Sequence, residues 1–394
     1  MWKYLKFMIL PLVVTAGTAA SFVFGGIYMW FGLAFLLVVG LGGELISGED
    51  TSEPEYSYEF LFDWNTYIIT LFLAVSTVTF VWSFSSIDLL GIGAFVQSMT
   101  GIDVLAARGQ NVWWQHLGAA LSLGGILGVQ GITVGHELTH RTDDPFDMLV
   151  GRWCFALMFG TNFATEHVHG HHHHLGHSEL DPVSVKRGTG FYNFLTVGTF
   201  NQWRGGWRIE RERLNAKGKS FWNIDNQVLR AYFRGGLVAA GIAYFGGWIA
   251  LAWWVLAIAY AKYILEGLNF FSHYGIVREP GEPITLRHTF SSNNAIGNYY
   301  LLNLGRHGSH HLSGGRYQNF EAGAGMPMSP YGYITMTVIS WMPPLFWWVM
   351  TPAIKEWEEK YATDGEREIV RQHNLESGRK ELEEFVPQQM QTSS

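Results

Sequence analysis

Long uncharged apolar runs separate polar segments along the first two thirds of this chain. A helix that spans a membrane needs about 20 mostly apolar residues. The run between Lys6 and Glu44 and the stretch 237–271 are each long enough for two helices, and each has a glycine pair near its middle, Gly25-Gly26 and Gly246-Gly247. The pattern predicts six spans, at residues 5–24, 27–46, 66–85, 112–134, 230–246 and 248–271.

Three other features of the apolar pattern do not predict spans. Residues 88–100 are apolar but too short to cross a bilayer. Residues 331–350 are interrupted by Pro343-Pro344, which favours an interfacial or half-inserted segment. The first apolar run continues unbroken past the small residues at 18–20, which argues against a cleaved signal peptide.

The positive charges fall on one side of the predicted membrane. Lys3 and Lys6 flank the first span, the stretch from Arg141 to Arg234 is rich in Lys and Arg, and only Arg108 falls in an external loop. Lys and Arg collect in cytoplasmic segments. We therefore expect an all-α integral membrane protein of one domain, 1–394, in a bacterial inner membrane. Both termini are expected in the cytoplasm, with a helical cap formed by 135–229 and 272–394.

Composition agrees with this organisation and excludes several kinds of site. Only 15% of the 394 residues are charged, against about a quarter in soluble proteins. The mean hydropathy is only +0.08, so a sizeable part of the chain must be polar and face water. The single cysteine, Cys154, excludes a disulfide framework, an iron–sulfur cluster and a Cys-rich zinc site.

The histidines are grouped in and beside the predicted cytoplasmic cap. Three segments, "GHELTHR", "EHVHGHHHH" and "LGRHGSHH", repeat spacings of three and four, and a fourth, "NFFSHYG", carries a single histidine. Such spacings place rings on one face of a helix, and neutral imidazole is a ligand for iron, copper and zinc. Nine rings are too many for one ion and suit two, at four or five each. The predicted ligands are His136, His140, His167, His171, His172, His273, His307, His310 and His311.

Polar neighbours of these histidines are candidates for contacts that orient the rings. They are Glu137, Glu166, Glu266 and Asn269. Glu266 follows Lys262 by one turn, so an ion pair near the membrane interface is an equal alternative for it. We expect His169 on the opposite helix face from His167, and we expect no ligand among His173, His174 and His177. His116 and His288 are expected to be structural.

Together these segments resemble the integral-membrane di-iron monooxygenases of the alkane 1-monooxygenase and xylene monooxygenase hydroxylase family, within the desaturase-like superfamily. "GHELTHR" is similar to that family's first box, "EHVHGHH" to its second, "NFFSHYG" to its His-Tyr-Gly box and "LGRHGSHH" to its third. The resemblance extends over nearly the whole chain. It departs at "HHLGHSELDP", which carries one extra position before Asp-Pro, so no role is transferred to Glu179 or Asp181.

The resemblance implies that two non-haem ferrous ions held by the nine histidines activate O2 with two electrons from outside. It implies hydroxylation of a terminal or benzylic C–H of an alkane or methyl-arene to a primary alcohol, with the substrate arriving from the bilayer. A separate cytoplasmic donor of rubredoxin or ferredoxin/reductase type is expected, because one cysteine cannot hold such a centre. The basic stretch from Arg204 to Lys219 is either its docking site or a headgroup anchor. No nucleic-acid partner is expected.

Three other functions remain open at this stage. A membrane fatty-acid desaturase or hydroxylase uses similar histidine boxes. An intramembrane zinc metalloprotease would use "HELTH" with Glu137 as the base, but it would leave the other boxes idle. A histidine-rich metal transporter is the non-enzymatic alternative.

Overall fold

The computed structural model of the chain describes residues 1–323 and 325–387, and every extended regular element within them is a helix. Four helices are long and apolar enough to cross a membrane: Gly26–Ile46, Phe60–Phe84, Trp113–His140 and Gln227–Ser272. The apolar helix Ile9–Phe24 is shorter. The remaining helices are Trp2–Leu5, Leu89–Gly91, Ile92–Thr100, Val104–Arg108, Pro145–Leu157, Phe163–Glu166, His167–His171, His172–His174, Phe191–Asn193, Phe194–Gly198, Thr199–Ala216, Leu286–His288, Ala295–Tyr300, His307–Ser313, Tyr317–Asn319, Tyr333–Ser340, Pro343–Lys360, Asp364–Glu376 and Lys380–Glu383. The all-helical prediction is confirmed for this part of the chain.

The segment Gln227–Ser272 is two helices joined at a sharp bend. Gly247 has φ 78° and ψ 177°, a conformation that only glycine adopts easily. The rings of Tyr232 and Trp254 both contact Phe159, with centroid distances of 5.9 and 6.3 Å. In one straight helix these two residues would lie about 33 Å apart. The chain therefore folds back on itself at the predicted glycine pair.

The helix Trp113–His140 lies at the centre of the molecule, since most of its residues are buried. It approaches the last long helix closely at Gly124. A Cβ added there would lie 2.5 Å from the carbonyl oxygen of Ala257. Small residues permit such contacts between membrane helices. The helix also continues beyond residue 134, where the predicted span ends. This extension carries His136 and His140 into the protein interior.

Residues 331–350, predicted to be interfacial, form the end of a loop and two helices that meet at Pro343. The first of them, Tyr333–Ser340, is buried against the last long helix. Its N-terminus is capped by the buried carboxylate of Glu44, which accepts hydrogen bonds from the N–H groups of Ile334 and Thr335 at 3.1 and 2.8 Å. This contact satisfies N–H groups that a helix start leaves unpaired.

Buried ion pairs attach the C-terminal helices to the rest of the protein. The Arg187 guanidinium donates to Glu358 at 2.5 Å, to Asn374 at 3.0 Å and to the carbonyl oxygen of Gly275 at 3.1 Å. A second cluster joins Glu366 to Arg287 and His288. Both clusters brace the loop 275–288, which follows the histidine of "NFFSHYG".

Glu366 is expected to make the stability of this region depend on pH. Burial alone would raise the pKa of its carboxyl, but hydrogen bonds from His288 and Arg287 outweigh burial and lower the pKa to about 2. A lowered folded-state pKa stabilises the fold fully above the unfolded value of about 4.5 and is lost as the pH falls towards 2. The shift corresponds to about 3 kcal/mol. Glu366→Gln should therefore lower the melting temperature of the detergent-solubilised protein at pH 7.

A matched control for this variant is Glu368→Gln. Glu368 pairs with Arg371 on the surface, and half of its side chain is exposed, so its pair is worth little. We expect the melting temperature of this control to stay within about 1 °C of wild type. An unchanged melting temperature in Glu366→Gln would show that the buried cluster does not stabilise the cap.

Candidate metal centre

The nine predicted ligand histidines meet in one place, as two adjoining groups. In the first group the ligand nitrogens lie within 4.8 Å of one another; its members are His136, His140, His167, His172 and His310. In the second group His171, His273 and His311 meet the same criterion. His307 joins the second group, because its Nε2 lies 3.2 Å from that of His273 and 3.1 Å from that of His311.

The spacing of the nitrogens within each group fits metal binding. Nε2 of His172 lies 3.1 Å from that of His167 and 3.0 Å from that of His310. Two imidazole nitrogens about 2.1 Å from one ion, at angles between 90° and 109°, lie about 3.0–3.4 Å apart. In the first group, Nε2 of His136 and of His140 is buried without a hydrogen-bond partner among the described residues. The donor set is all imidazole, which suits iron, copper or zinc.

A π-helical turn at His167–His171 decides which rings meet. The spacing of four between His167 and His171 predicts that these two share one helix face. The wider turn instead sets His172, five positions on, against His167, while His171 faces the second group. Such bulges are frequent at functional sites. The turn thus sends two consecutive histidines to different groups.

The helix His307–Ser313 divides its histidines in the same way. His307 and His311 lie in the second group and His310 in the first. The rings of His172 and His311, one from each group, stack with centroids 4.3 Å apart. Two segments therefore supply both groups, so two ions bound there would lie close together.

Asp181, to which the sequence pattern assigns no role, fixes the orientation of one ring. Its Oδ2 lies 2.8 Å from Nδ1 of His171 and accepts the hydroxyl of Ser184 at 2.6 Å, and its Oδ1 accepts the N–H of Val183 at 2.9 Å. Within the described chain, His171 alone of the nine rings contacts a carboxylate. A carboxylate on the outer nitrogen directs the other ring nitrogen to a metal. The Asp-Pro pair just after the second segment was the available signal.

The rings of the third histidine segment, at His307, His310 and His311, are in the protonation state that metal binding needs. Burial, and then the charge of neighbouring rings, lowers the pKa of His310 and His311 well below the ordinary value. Burial lowers the pKa of His307 to about 3. These rings are neutral at pH 7, with a lone pair free for an ion.

The four polar neighbours predicted to orient the rings lie close by, but none is hydrogen-bonded to one of the nine rings in the described residues. Glu137 pairs with Arg141 and accepts the N–H of Tyr317 at 3.3 Å. Glu266 pairs with Lys262. Glu166 lines a cavity beside His167, and burial raises its pKa to about 8. Asn269 is buried on the helix that precedes His273.

The remaining histidines lie outside both groups. His169 and His173 are exposed, and His174, His177 and His373 line a surface cavity beside Arg278. His116 stacks on Phe84, with centroids 4.4 Å apart. His288 contacts Glu366 at 2.9 Å.

Two cavities adjoin the histidine groups on the side of the long helices. The basal cavity has a volume of about 40 Å³ and is lined by Leu36, Thr133, Leu268, Leu304, Tyr333 and neighbouring apolar residues. The lateral cavity has a volume of about 410 Å³ and is lined by Phe159, Phe163, Gln202, Val255, Lys262 and others. Ile132 and Leu265 line both cavities.

Comparison with known proteins gives consistent matches. A family model described as fatty acid desaturase matches residues 111–320, just over half of the chain. The chain is 30% identical to the xylene/toluene monooxygenase hydroxylase component of Pseudomonas putida over 95% of each chain. It is 33% identical to alkane 1-monooxygenase 2 of Pseudomonas aeruginosa over 67% of this chain and 72% of that one. Identity to alkane 1-monooxygenase 2 of Alcanivorax borkumensis is 28% over 84% of each.

Proposed function

The chain belongs to the fatty acid desaturase family, and on that premise we propose that it is a membrane di-iron monooxygenase. Its proposed reaction inserts one oxygen atom from O2 into a terminal or benzylic C–H bond of an apolar hydrocarbon and gives a primary alcohol. The observation that carries the proposal is the gathering of nine histidines into groups of five and four. The names of the similar proteins, alkane and xylene monooxygenases, support the substrate class.

The nine histidines would hold two iron ions, and the bound irons would supply the oxidising power that breaks a strong C–H bond. The chain's own residues position and enclose the reaction. Asp181 holds the ring of His171, and the π-turn directs His171 and His172 to separate ions. Burial keeps the rings of His307, His310 and His311 neutral. It would also exclude bulk water from the place where the hydrocarbon reacts.

The basal cavity supports an approach of the hydrocarbon from the bilayer. Its lining residues Thr133 and Leu304 lie three positions before His136 and His307. Tyr333, also in its wall, has its ring centroid 5.9 Å from that of His307. No charged side chain is among its lining residues, and its volume of about 40 Å³ has room for the reacting end of a hydrocarbon rather than for the whole molecule. These side chains would aim a terminal carbon at the two histidine groups.

The proposed topology has six spans, with both termini and the histidine-bearing cap on the cytoplasmic side of the inner membrane. The two halves of Gln227–Ser272 and the helix Ile9–Phe24 would make six with the three other long helices. A separate rubredoxin or ferredoxin/reductase would deliver the electrons there. The exposed aromatic side chains of Phe200 and Trp203, on the helix that carries the basic stretch, favour headgroup contact for that helix.

Whole-cell conversion tests this proposal. Cells that express the chain with a compatible electron-donor system are fed octane and, separately, p-xylene under 18O2. We expect 1-octanol or 4-methylbenzyl alcohol carrying one 18O atom, because a monooxygenase takes its oxygen from O2. Cells without the chain are the control. Absence of labelled alcohol from both substrates, with the protein present and loaded with iron, would contradict the proposal.

A second function, desaturation or hydroxylation of an acyl lipid, is favoured by the description of the matching family model. It predicts changed fatty acids in the same cells. A new double bond in membrane acyl chains, with no hydrocarbon oxidised, would support this function and exclude the first.

A further inference from the structure

The lateral cavity is apolar along most of its wall and polar at one end. Phe159 and Val255 form part of the apolar wall, and Thr199, Gln202 and Lys262 form the polar end. Val255 and Lys262 are seven residues apart on one helix, which is about 10 Å along its axis. The cavity therefore has the length and the polarity of a small amphiphile.

The polar end offers a hydrogen bond that the protein leaves unused. Lys262 Nζ donates to Gln202 Oε1 at 3.3 Å, and Gln202 Nε2 donates to Glu266 at 3.0 Å. The hydroxyl of Thr199, which also lines the cavity, is buried without a hydrogen-bond partner among the described residues. Buried polar groups are nearly always paired. A hydroxyl group bound at this end would supply the missing partner.

The lateral cavity extends from a residue in contact with the first histidine group to the exposed face of an apolar helix. At its inner side, Phe163 stacks on His167 of the first group, with ring centroids 4.8 Å apart and planes at 10°. At its mouth, Val255 and Ala259 are exposed on an apolar helix. Ile132 and Leu265 line both cavities and therefore form part of the wall between them.

We propose that the lateral cavity binds the primary alcohol that the reaction produces and conducts it to the bilayer. This inference rests on the proposed function. Hydroxylation converts a hydrocarbon into an amphiphile, and its new hydroxyl is poorly matched to the uncharged basal cavity. Beyond Ile132 and Leu265 the hydroxyl meets Thr199 and Gln202, while the alkyl chain lies along the apolar wall. The reacting end of the substrate and the released product thus occupy different cavities.

Photolabelling tests this assignment without turnover. The purified full-length protein in lipid nanodiscs is incubated with a decyl alcohol or a decane, each bearing a diazirine at the same carbon. Labelled peptides are identified by mass spectrometry. We expect the alcohol to label segments 155–166 and 255–265 at least about fivefold more than the hydrocarbon does, because only the alcohol has a hydroxyl for the polar end.

Two variants, Ala259→Trp and Thr199→Val, and one control variant extend the test. Ala259→Trp fills the mouth and should reduce labelling by the alcohol about tenfold. Ala252→Trp, exposed on the same helix and not among the residues lining the cavity, is the matched control and should leave labelling unchanged. Thr199→Val removes the unpaired hydroxyl with little change of volume and should reduce the preference for the alcohol.

Equal labelling of these segments by the two probes would overturn the proposal and mark the cavity as a hydrocarbon route. Unchanged labelling by the alcohol in Ala259→Trp would also overturn it. The proposed function fails separately, in the octane and p-xylene conversions. A protein that labels as expected but oxidises neither hydrocarbon would keep an amphiphile site and lose the proposed reaction.

Discussion

His307→Ala is expected to lower the rate of hydrocarbon hydroxylation by more than about 100-fold. This loss is larger than the one caused by removing a residue that only orients a metal ligand. Nε2 of His307 lies within 3.2 Å of the Nε2 atoms of both His273 and His311. Its removal leaves the second group with three rings and opens one side of it. Iron bound per chain should fall from about two to about one, because the first group keeps all five of its rings.

The matched control is His169→Ala. His169 is also part of a histidine-rich segment, but its side chain is exposed and belongs to neither group. Iron content and rate should both stay near wild type in this control. A transporter or a loose histidine-rich patch would lose similar amounts of metal in both variants. Unchanged iron and activity in His307→Ala, in a protein that elutes and melts like wild type, would contradict the two-group assignment.

Asp181→Ala is expected to weaken iron binding or lower the hydroxylation rate by about 10–100-fold, the usual effect of losing a partner that orients a ligand. The ring of His171 would lose its only carboxylate contact within the described chain. The loop at Val183 and Ser184 would lose its acceptor too. Iron titration of the metal-depleted protein measures the affinity directly, apart from activity.

Two comparisons separate orientation of the ring from simple loss of fold. Asp181→Glu keeps the carboxylate and should recover part of the affinity. Glu179→Ala, two residues away, removes an exposed carboxylate that pairs with Lys186 and should have no effect. If Asp181→Ala binds iron like wild type, Asp181 only stabilises its loop.

The histidine spacings predicted which rings lie together, but not how the rings divide into two groups. Spacings of three and four assume an α-helix, and the π-turn at His167–His171 breaks that assumption. A π-turn has no composition of its own and is set by the packing around it, so the pairing of His167 with His172 was not predictable. The helix His307–Ser313 has the expected geometry, yet its division between two groups depends on where the other segments lie.

Contacts between distant segments were the least predictable features. The role of Asp181 depends on the path of the loop after the second histidine segment, which the extra position there obscured. Glu44 caps a helix that begins 289 residues later. That helix, Tyr333–Ser340, is buried against the last long helix, although its proline-terminated apolar run suggested an interfacial position. The bend at Gly247 was predictable, because a glycine pair in an overlong apolar run has few other uses.

The metal-to-protein ratio of the purified wild-type chain, measured by mass spectrometry of the metals after anaerobic purification, tests the central claim most directly. Two groups of five and four imidazoles predict about two metal ions per chain. The proposed monooxygenase reaction predicts that these ions are iron, with only traces of zinc. One zinc ion per chain and no iron, bound at "HELTH" alone, would contradict the di-iron account and leave the zinc protease as the better explanation.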